Sequence, residues 1–266
     1  MKWGRIILVI FGALIVTALG IDAADTIQGK SGTLLSQVIR TESGCGPGMV
    51  AVRTIPGVEC IDQFEVSPGK ACPIATPSNS IESQKNADTR ECVAESRKGS
   101  MPWSFVTRDQ ALQLCARAGK RLPTALEWYS LSLGMTEVES SCNVSSKSVA
   151  LSGSKDGCVA PHGAHDLVGN LWEWVSDDVV NGTYNNRALP ENGYIEQVDN
   201  TGIAVLTNDA EQDLYGKDYF WAPHDGVFGM VRGGYYDSGS DAGLYAVHAD
   251  TPTNAANIGI GFRCVK

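Results

Sequence analysis

The residues best suited to chemistry lie near the end of the chain, between Arg232 and Arg263. A glycine-rich, apolar frame encloses this segment, with Arg232-Gly-Gly at its start and Ile260-Gly-Phe-Arg at its end. Between Gly233 and Gly261 the side chains are rich in Tyr, Asp, Ser, His, Thr and Asn, which hydrogen-bond and stack without needing burial. This composition is typical of a binding surface.

Lys, Glu, Gln, Met and Trp are all absent from positions 233 to 261. None of these five is encoded by a codon that ends in a pyrimidine. The composition of the segment therefore indicates how it was generated as well as what it does.

The length and charge of the chain limit the classes of function. A chain of 266 residues can bury one complete core and still supply a leader and long loops. The formal net charge of −9 argues against a nucleic-acid or anionic-membrane surface, since either needs clustered Lys and Arg.

The start of the chain predicts export. Residues 1–23 combine a charged start with an uncharged apolar run, which predicts either a cleaved signal peptide or a retained membrane anchor. Residues 24–44 are polar with scattered Gly and Ser and should form a linker. Residues 45–266 should then form the folded body, either secreted or anchored at the cell surface.

Short strands and loops are expected over much of the body. Met49-Val-Ala-Val and the run from Cys60 to Val66 alternate apolar with polar residues and predict strands. Residues 67–100 are rich in Ser, Pro, Asn and Lys and predict a long loop. Residues 180–226 form a polar insertion in which Tyr184, Tyr194, Tyr215, Tyr219 and Trp221 are spaced.

Two capping boxes predict short helices. Thr107 and Gln110 precede an apolar run that ends at Gly119, and Thr124 and Glu127 open a second helix just after a proline. Few helices, many short strands and long loops together predict the α+β class.

Four blocks of sequence, in order, resemble the formylglycine-generating (sulfatase-modifying) enzyme family and its non-enzymatic relatives. The blocks are Met49-Val-Ala-Val with Cys60-Ile-Asp-Gln-Phe-Glu-Val66, Ala118-Gly-Lys-Arg-Leu-Pro-Thr-Ala-Leu-Glu-Trp128, Gly163-Ala-His-Asp-Leu-Val-Gly-Asn-Leu-Trp-Glu-Trp174, and Val231-Arg-Gly-Gly234 with Ile260-Gly-Phe-Arg-Cys264. They span essentially the whole body, residues 45–266. The resemblance implies a C-type-lectin-like fold, in agreement with the α+β class.

The third block raises the question of a metal. Trp172 and Trp174 alternate around Glu173, so on an extended backbone the two rings share one face and the carboxylate takes the other. The family that this block resembles holds a structural calcium ion through an Asn and a Glu, which Asn170 and Glu173 match, and oxygen ligands suit this cation. The alternative is that Glu173 has an arginine or a backbone N–H as its partner.

Catalysis is not expected. The oxidase chemistry of the family that this chain resembles needs a reactive cysteine pair between Arg-Gly-Gly and Gly-Phe-Arg, and no cysteine lies between Arg232 and Arg263. The histidines are scattered without metal-ligand spacing. They are His162, His165, His224 and His248.

The eight cysteines of an exported body predict disulfides rather than zinc ligands, because no CxxC pair is present. The family resemblance implies a bond between Cys115 and Cys264. Local spacing suggests the remaining pairs, Cys45–Cys60, Cys72–Cys92 and Cys142–Cys158.

The final segment is similar to the variable region of proteins diversified by retroelements, which copy a template with errors at adenines. Asn codons then become Tyr, Asp, Ser, His, Thr, Ile, Gly or Ala. The resemblance implies a fixed frame made of Gly233, Gly234, Ala242, Gly243, Ala246, Pro252 and Ile260–Arg263. It implies candidate varied positions at Tyr235, Tyr236, Asp237, Ser238, Asp241, Tyr245, His248, Asp250, Thr251, Asn254 and Asn257.

The sequence therefore predicts an exported, non-catalytic protein that binds an extracellular protein or glycan through residues 233–261. One alternative is a structural or accessory domain of an envelope complex, in which the tyrosines only pack. The other is an inactive or alternative enzyme of the family.

Overall fold

The computed structural model describes residues 44–52, 55–135, 140–223 and 225–266. The chain divides into two units, Met1–Gly46 and Pro47–Lys266, and the elements below belong to the second. The expected signal peptide or anchor at 1–23, and nearly all of the linker at 24–44, lie outside the described residues. Within the described ranges, no helix is long and apolar enough to cross a bilayer.

Two small antiparallel sheets precede the main one. Strand β1 (Met49–Ala51) pairs with β2 (Cys60–Asp62), and β3 (Val66–Pro68) pairs with β4 (Ala94–Ser96). The strands predicted near Met49 and Cys60 are therefore present. The run from Cys60 to Val66 is not one strand, because it divides into β2 and the start of β3.

The loop predicted at residues 67–100 was wrong, because this region holds helix α1 (Ser80–Asp88) as well as β4. Asn79 caps the helix by accepting a hydrogen bond from the backbone N–H of Glu82, at 3.0 Å. The helix buries the polar residues Ser83 and Asn86. It lacks an apolar stripe for this reason, and apolar periodicity could not reveal it.

Both capping-box predictions are confirmed. Helix α2 (Arg108–Arg117) begins after Thr107, and helix α3 (Ala125–Ser132) begins after Thr124. In each helix the threonine side chain accepts a hydrogen bond from the backbone N–H of the third helical residue, Gln or Glu. The side chain of that residue accepts a hydrogen bond from the backbone N–H of the threonine.

The described residues form a main sheet of nine strands, in the order β7-β6-β5-β11-β12-β10-β8-β9, with β13 paired to β5. The strands are β5 (Trp172–Val180), β6 (Thr183–Tyr184), β7 (Arg187–Ala188), β8 (Gly193–Val198), β9 (Ala204–Asn208), β10 (Tyr219–Trp221), β11 (Val227–Arg232), β12 (Val247–Thr251) and β13 (Ile260–Gly261). The α+β prediction is confirmed. Strands β6 to β10 lie within the polar insertion at 180–226. The insertion therefore extends the main sheet.

Disulfides link the ends of the fold. Cys115 on α2 bonds to Cys264 just after β13, and the Cys72–Cys92 and Cys142–Cys158 bonds close local loops. Cys45 and Cys60 are also disulfide-bonded, so every cysteine of the chain is oxidised. The Cys115–Cys264 bond attaches the C-terminal strand to a buried helix face.

Candidate binding surface

The candidate varied positions lie on three consecutive stretches: the loop after β11, strand β12, and the loop before β13. Ten of these eleven residues are half-buried or exposed. Thr251 is the exception, because only 8% of its surface is exposed. Thr251 is therefore the least accessible of the candidate varied positions, although it lines the concavity described below. Strand alternation points His248 and Asp250 outward and Thr251 inward.

The frame residues, in contrast, are buried, with Pro252 as the exposed exception. A Cβ at Gly243 would lie 2.1 Å from Oδ1 of Asp218, so no larger residue fits there without movement. Gly234 adopts a left-handed backbone (φ +86°), and a Cβ there would lie 2.2 Å from the Cβ of Ala242. The glycines thus permit close backbone packing beneath the surface.

Arg232 holds the segment to the rest of the fold. Its guanidinium is fully buried and donates to four backbone carbonyls, those of Ala125, Thr201, Gly202 and Leu244, at 2.9–3.2 Å. It also lies 5.1 Å from the ring centroid of Trp128. Burial lowers the pKa of Arg232 to about 10. One side chain therefore joins α3, the insertion and the loop that precedes β12.

Asp218, from the insertion, shapes the same loop. Its Oδ2 accepts from the backbone N–H of Tyr245 at 2.6 Å and from that of Ala246 at 3.1 Å. Since Asp218 is itself fully buried, these bonds set the path of the backbone between the outward-pointing residues.

An open concavity of about 490 Å³ lies on the surface of the segment. Five of its lining residues are candidate varied positions, namely Tyr235, Tyr236, His248, Thr251 and Asn257. The remaining lining residues are Trp172, Val231, Pro252, Ala255, Ile258, Gly259 and Ile260. The concavity therefore has an apolar floor with tyrosine, imidazole and amide groups available for directional contacts.

The turn after Gly234 positions the first of these groups. The rings of Tyr235 and Tyr236 pack with centroids 4.8 Å apart, and the Ser238 hydroxyl accepts from the backbone N–H of Tyr235 at 3.0 Å. Asp237 forms an ion pair with Lys147, which raises the pKa of that lysine. Ser238 thus shapes the backbone, whereas the two tyrosines offer contact area.

His248 lies in a row of rings that crosses the sheet. Its imidazole stacks on Trp221 with centroids 4.0 Å apart and planes 8° from parallel. It also meets the edge of Trp172 at 5.0 Å, and its Nδ1 lies 3.0 Å from Oδ1 of Asp250. Aromatic groups from β5, β10 and β12 therefore meet at this candidate varied position.

The other candidate positions lie outside the 490 Å³ concavity. Tyr245 packs between Tyr215 and Tyr129, with centroid distances of 5.1 and 5.7 Å. Burial and the charge of Glu211 raise the pKa of Asp241. Asn254 lines a separate open concavity of about 570 Å³ beside α1. The candidate varied positions thus form more than one local group.

Sequence reasoning did not assign the aromatic residues of the insertion to the surface. Tyr194, Tyr219 and Trp221 lie beside the candidate positions because β10 pairs in parallel with β12 and antiparallel with β8. The presence of several aromatic residues in 180–226 was a usable signal, but it did not identify the neighbouring strand.

The buried Glu173 has an arginine partner. Arg263 donates to both carboxylate oxygens, and Trp128 Nε1 donates to Oε2 at 2.8 Å. Since a permanent cation already occupies both oxygens, the side chain does not fit a calcium ligand in this arrangement. The alternative of an arginine partner matches the geometry, and calcium binding stays a prediction.

Asn170 takes part in a separate buried network. Its Oδ1 accepts from Asn143 Nδ2 at 2.9 Å and from the backbone N–H of Ala150 at 2.8 Å. Its Nδ2 donates to Oε2 of Glu65 at 2.6 Å. Among the residues that the structure describes, no group of three or more His, Cys, Asp or Glu side chains is arranged to hold a metal ion.

The other histidines are used locally. His162 Nε2 lies 2.7 Å from the carbonyl oxygen of Leu131, and His165 stacks on Phe64 at 5.1 Å. Burial lowers the pKa of both imidazoles. His224 lies outside the described residues.

Three solved structures illustrate what the chain is similar to. The Major Tropism Determinant P3c Variant is 16% identical with a TM-score of 0.46, and the match covers 83% of this chain but 52% of that one. Treponema denticola variable protein 1 is 13% identical with a TM-score of 0.43, covering 83% and 91%. The structure titled Crystal Structure of CarF is 16% identical with a TM-score of 0.41, covering 82% and 95%. The chain thus spans about half the length of the tropism determinant chain.

The comparison with curated proteins found no match. A family model does match: the Sulfatase-modifying factor enzyme 1-like domain covers residues 50–266, which is most of the chain. The chain therefore belongs to the sulfatase-modifying factor enzyme family, and its α+β fold is the C-type-lectin-like fold of that family.

Proposed function

We propose that this protein is an exported, non-catalytic binding protein whose C-terminal segment, residues 233–261, is a binding surface diversified by a retroelement. One observation carries the proposal. The candidate varied positions are accessible, apart from Thr251, while the frame residues between them are buried, apart from Pro252. Segregation of this kind lets side chains change on the surface while the backbone beneath them is kept.

The chemistry of the accessible side chains supports binding. Tyrosine supplies rigid, amphipathic contact area at low entropic cost, and Tyr235, Tyr236 and Tyr245 are all half-buried. Asp237, Asp241 and the amides add hydrogen-bonding groups around them. The 490 Å³ concavity gives a partner side chain a place to enter.

The state of the cysteines supports a non-catalytic role. The oxidase chemistry associated with the family requires thiols, and every cysteine of this chain is disulfide-bonded. The segment between Arg232 and Arg263 supplies hydrogen-bonding groups and rings but no thiol nucleophile.

The disulfides also support export, because such bonds persist in oxidising compartments. An exported surface would meet a protein or a glycan from outside the cell. Cleavage or retention of residues 1–23 would decide whether the protein is secreted or anchored at the surface.

Sequencing the DNA on both sides of the gene tests the diversification. We expect a near-copy of the segment that carries Asn codons where this chain has Tyr, Asp or His, next to a reverse transcriptase gene. If neither is present, the diversified surface is rejected in favour of a structural or accessory domain.

A further inference from the structure

Five rings form a continuous row across the main sheet, which we call the aromatic row: Tyr194, Tyr219, Trp221, His248 and Trp172. Successive centroids lie 5.1, 4.7, 4.0 and 5.0 Å apart. The strand pairing explains the row, because Tyr219 lies opposite Tyr194 and Trp221 lies opposite His248. Only His248 belongs to the candidate varied positions.

The aromatic row connects candidate positions that would otherwise be separate. At one end, Trp172 lines the concavity that contains Tyr235 and Tyr236. At the other end, burial and the negative charge of Asp241 raise the pKa of the Tyr194 hydroxyl. Side chains from the insertion thus bridge the two groups.

The size of this surface favours a macromolecular partner. The aromatic row crosses five adjacent strands of the sheet, in the order β5, β11, β12, β10 and β8. At the usual strand spacing this corresponds to about 19 Å. A row of this length, with the loops at both ends, would run across much of a protein–protein interface in which each partner buries roughly 800 Å². Tyr and Trp are also the residues enriched at the centres of such interfaces.

The charge of the surface favours one kind of protein. Asp237, Asp241, Asp250 and Glu211 lie around the aromatic row and the concavity. Lys147 and Lys217 offset two of these carboxylates by pairing with Asp237 and Glu211. Asp241 has no ion-pair partner among the described residues. The net charge of −9 has the same sign.

We infer that the aromatic row is a constant half of the binding surface, shared by all diversified variants, and that the partner of this variant is a folded protein with a basic surface patch. The inference rests on the proposed function. In this arrangement the varied side chains select among partners, while Tyr194, Tyr219 and Trp221 supply contact area that does not depend on the variant. Acidic groups at the edge favour encounter with basic partners.

A displayed library tests the inference. The candidate varied positions are randomised with codons derived from Asn, except that His248, Thr251 and the three acidic residues Asp237, Asp241 and Asp250 are kept, and the protein is displayed on yeast. The library is sorted in parallel against hen lysozyme, which is basic, bovine α-lactalbumin, which is acidic with the same fold, and dextran. We expect at least about tenfold more binders against lysozyme than against either alternative probe.

Substitutions in the selected lysozyme binders then test the aromatic row. We expect Trp221→Ala, and separately Tyr219→Ser with Tyr194→Ser, to weaken binding at least tenfold, which is about 1.4 kcal/mol. Leu151→Ala is the matched control, since Leu151 is an apolar side chain, 45% exposed, outside the row. Melting temperature is recorded for each variant, and the double tyrosine variant decides the result if Trp221→Ala does not fold.

The outcomes are distinct. If the row substitutions weaken lysozyme binding no more than Leu151→Ala does, the aromatic row is not a constant half of the binding surface. The proposed function is not affected by that result. Enrichment on α-lactalbumin or dextran instead of lysozyme overturns the basic protein partner. A library that yields no specific binder to any probe overturns the proposed function and this inference with it.

Discussion

Arg263 donates from Nε to both carboxylate oxygens of Glu173, at 2.7 and 2.8 Å, and both side chains are fully buried. The pair joins the end of the C-terminal segment to the middle of β5. It holds a frame residue and a sheet residue in fixed relative positions, which the proposed diversified surface would require.

The first prediction concerns the loss of one member of this pair. Arg263→Met should lower the free energy of unfolding by about 3–5 kcal/mol, because Glu173 would remain as a buried charge without its cation. Lys98→Met is the control, since Lys98 and Asp156 are both exposed, and such pairs contribute under about 1 kcal/mol. Denaturant unfolding measures both. Equal effects of the two substitutions would contradict a structural role for the buried pair.

The second prediction concerns calcium. Because Arg263 binds both oxygens of Glu173, we expect EDTA to leave the melting temperature unchanged, and added calcium to leave it unchanged as well. Ligand linkage makes the test direct, since a bound ion would raise the stability of the folded state. A fall in melting temperature with EDTA that calcium reverses would establish the calcium site and reject the arginine alternative.

The third prediction concerns the glycines of the frame. Gly243→Ala should lower stability by about 1–3 kcal/mol, because the new Cβ would lie 2.1 Å from Oδ1 of the buried Asp218. Gly234→Ala should cost more, since a left-handed backbone adds about 1–2 kcal/mol to the clash with Ala242. Gly239→Ala separates the two causes, because Gly239 has φ +59° and open space around it. Since Gly234 and Gly239 are both left-handed and only Gly234 has the clash, Gly234→Ala that is no more destabilising than Gly239→Ala would refute the close packing beneath the surface.

Local signals in the sequence predicted local structure well. The capping boxes at Thr107 and Thr124 each needed only a few neighbouring residues, and α2 and α3 begin where they indicate. Helix α1 and the strands of the insertion were missed for the opposite reason. Their stability comes from tertiary packing and from pairing with distant strands, which short windows of sequence do not encode.

The candidate binding surface shows the same division. The candidate varied positions followed from the resemblance to retroelement-diversified proteins, which the glycine frame and the composition of the segment carry. The sequence could not place Trp221 at this surface. Its contact with His248 depends on the parallel pairing of β10 with β12, two strands that are far apart in sequence. The burial of Thr251 could have been predicted from the sequence. Val247 and Ala249 lie on the inward face of β12, and Thr251 continues that alternation.

The fourth prediction concerns pH. Burial raises the pKa of Asp166 to about 6, and burial with the nearby charge of Asp166 raises that of Glu65. The folded protein then holds these protons more tightly than the unfolded chain does. Their contribution to stability is therefore fully present below pH about 4 and falls as the pH rises through about 6.

Asp166→Asn isolates this effect, since Asn tolerates the left-handed backbone of Asp166 (φ 57°) and can still accept from the N–H of Gly153. Unfolding free energies measured from pH 4 to pH 7 should fall for the native protein relative to the variant, by no more than about 3 kcal/mol. Parallel curves for the two proteins would show that Asp166 does not hold a proton in the folded state.

The fifth prediction is that tolerance to substitution follows side-chain exposure within the segment. Asp241→Tyr and Asn257→Tyr should each change the free energy of unfolding by less than about 1 kcal/mol, because both side chains reach solvent. Thr251→Tyr should cost about 1–3 kcal/mol or more, because the same new ring would have to enter the buried side of β12. Chemical denaturation of the three variants gives the comparison, with the same residue introduced each time. If Asp241→Tyr or Asn257→Tyr unfolds the protein as readily as Thr251→Tyr, the segment is part of the core and the diversified surface is rejected.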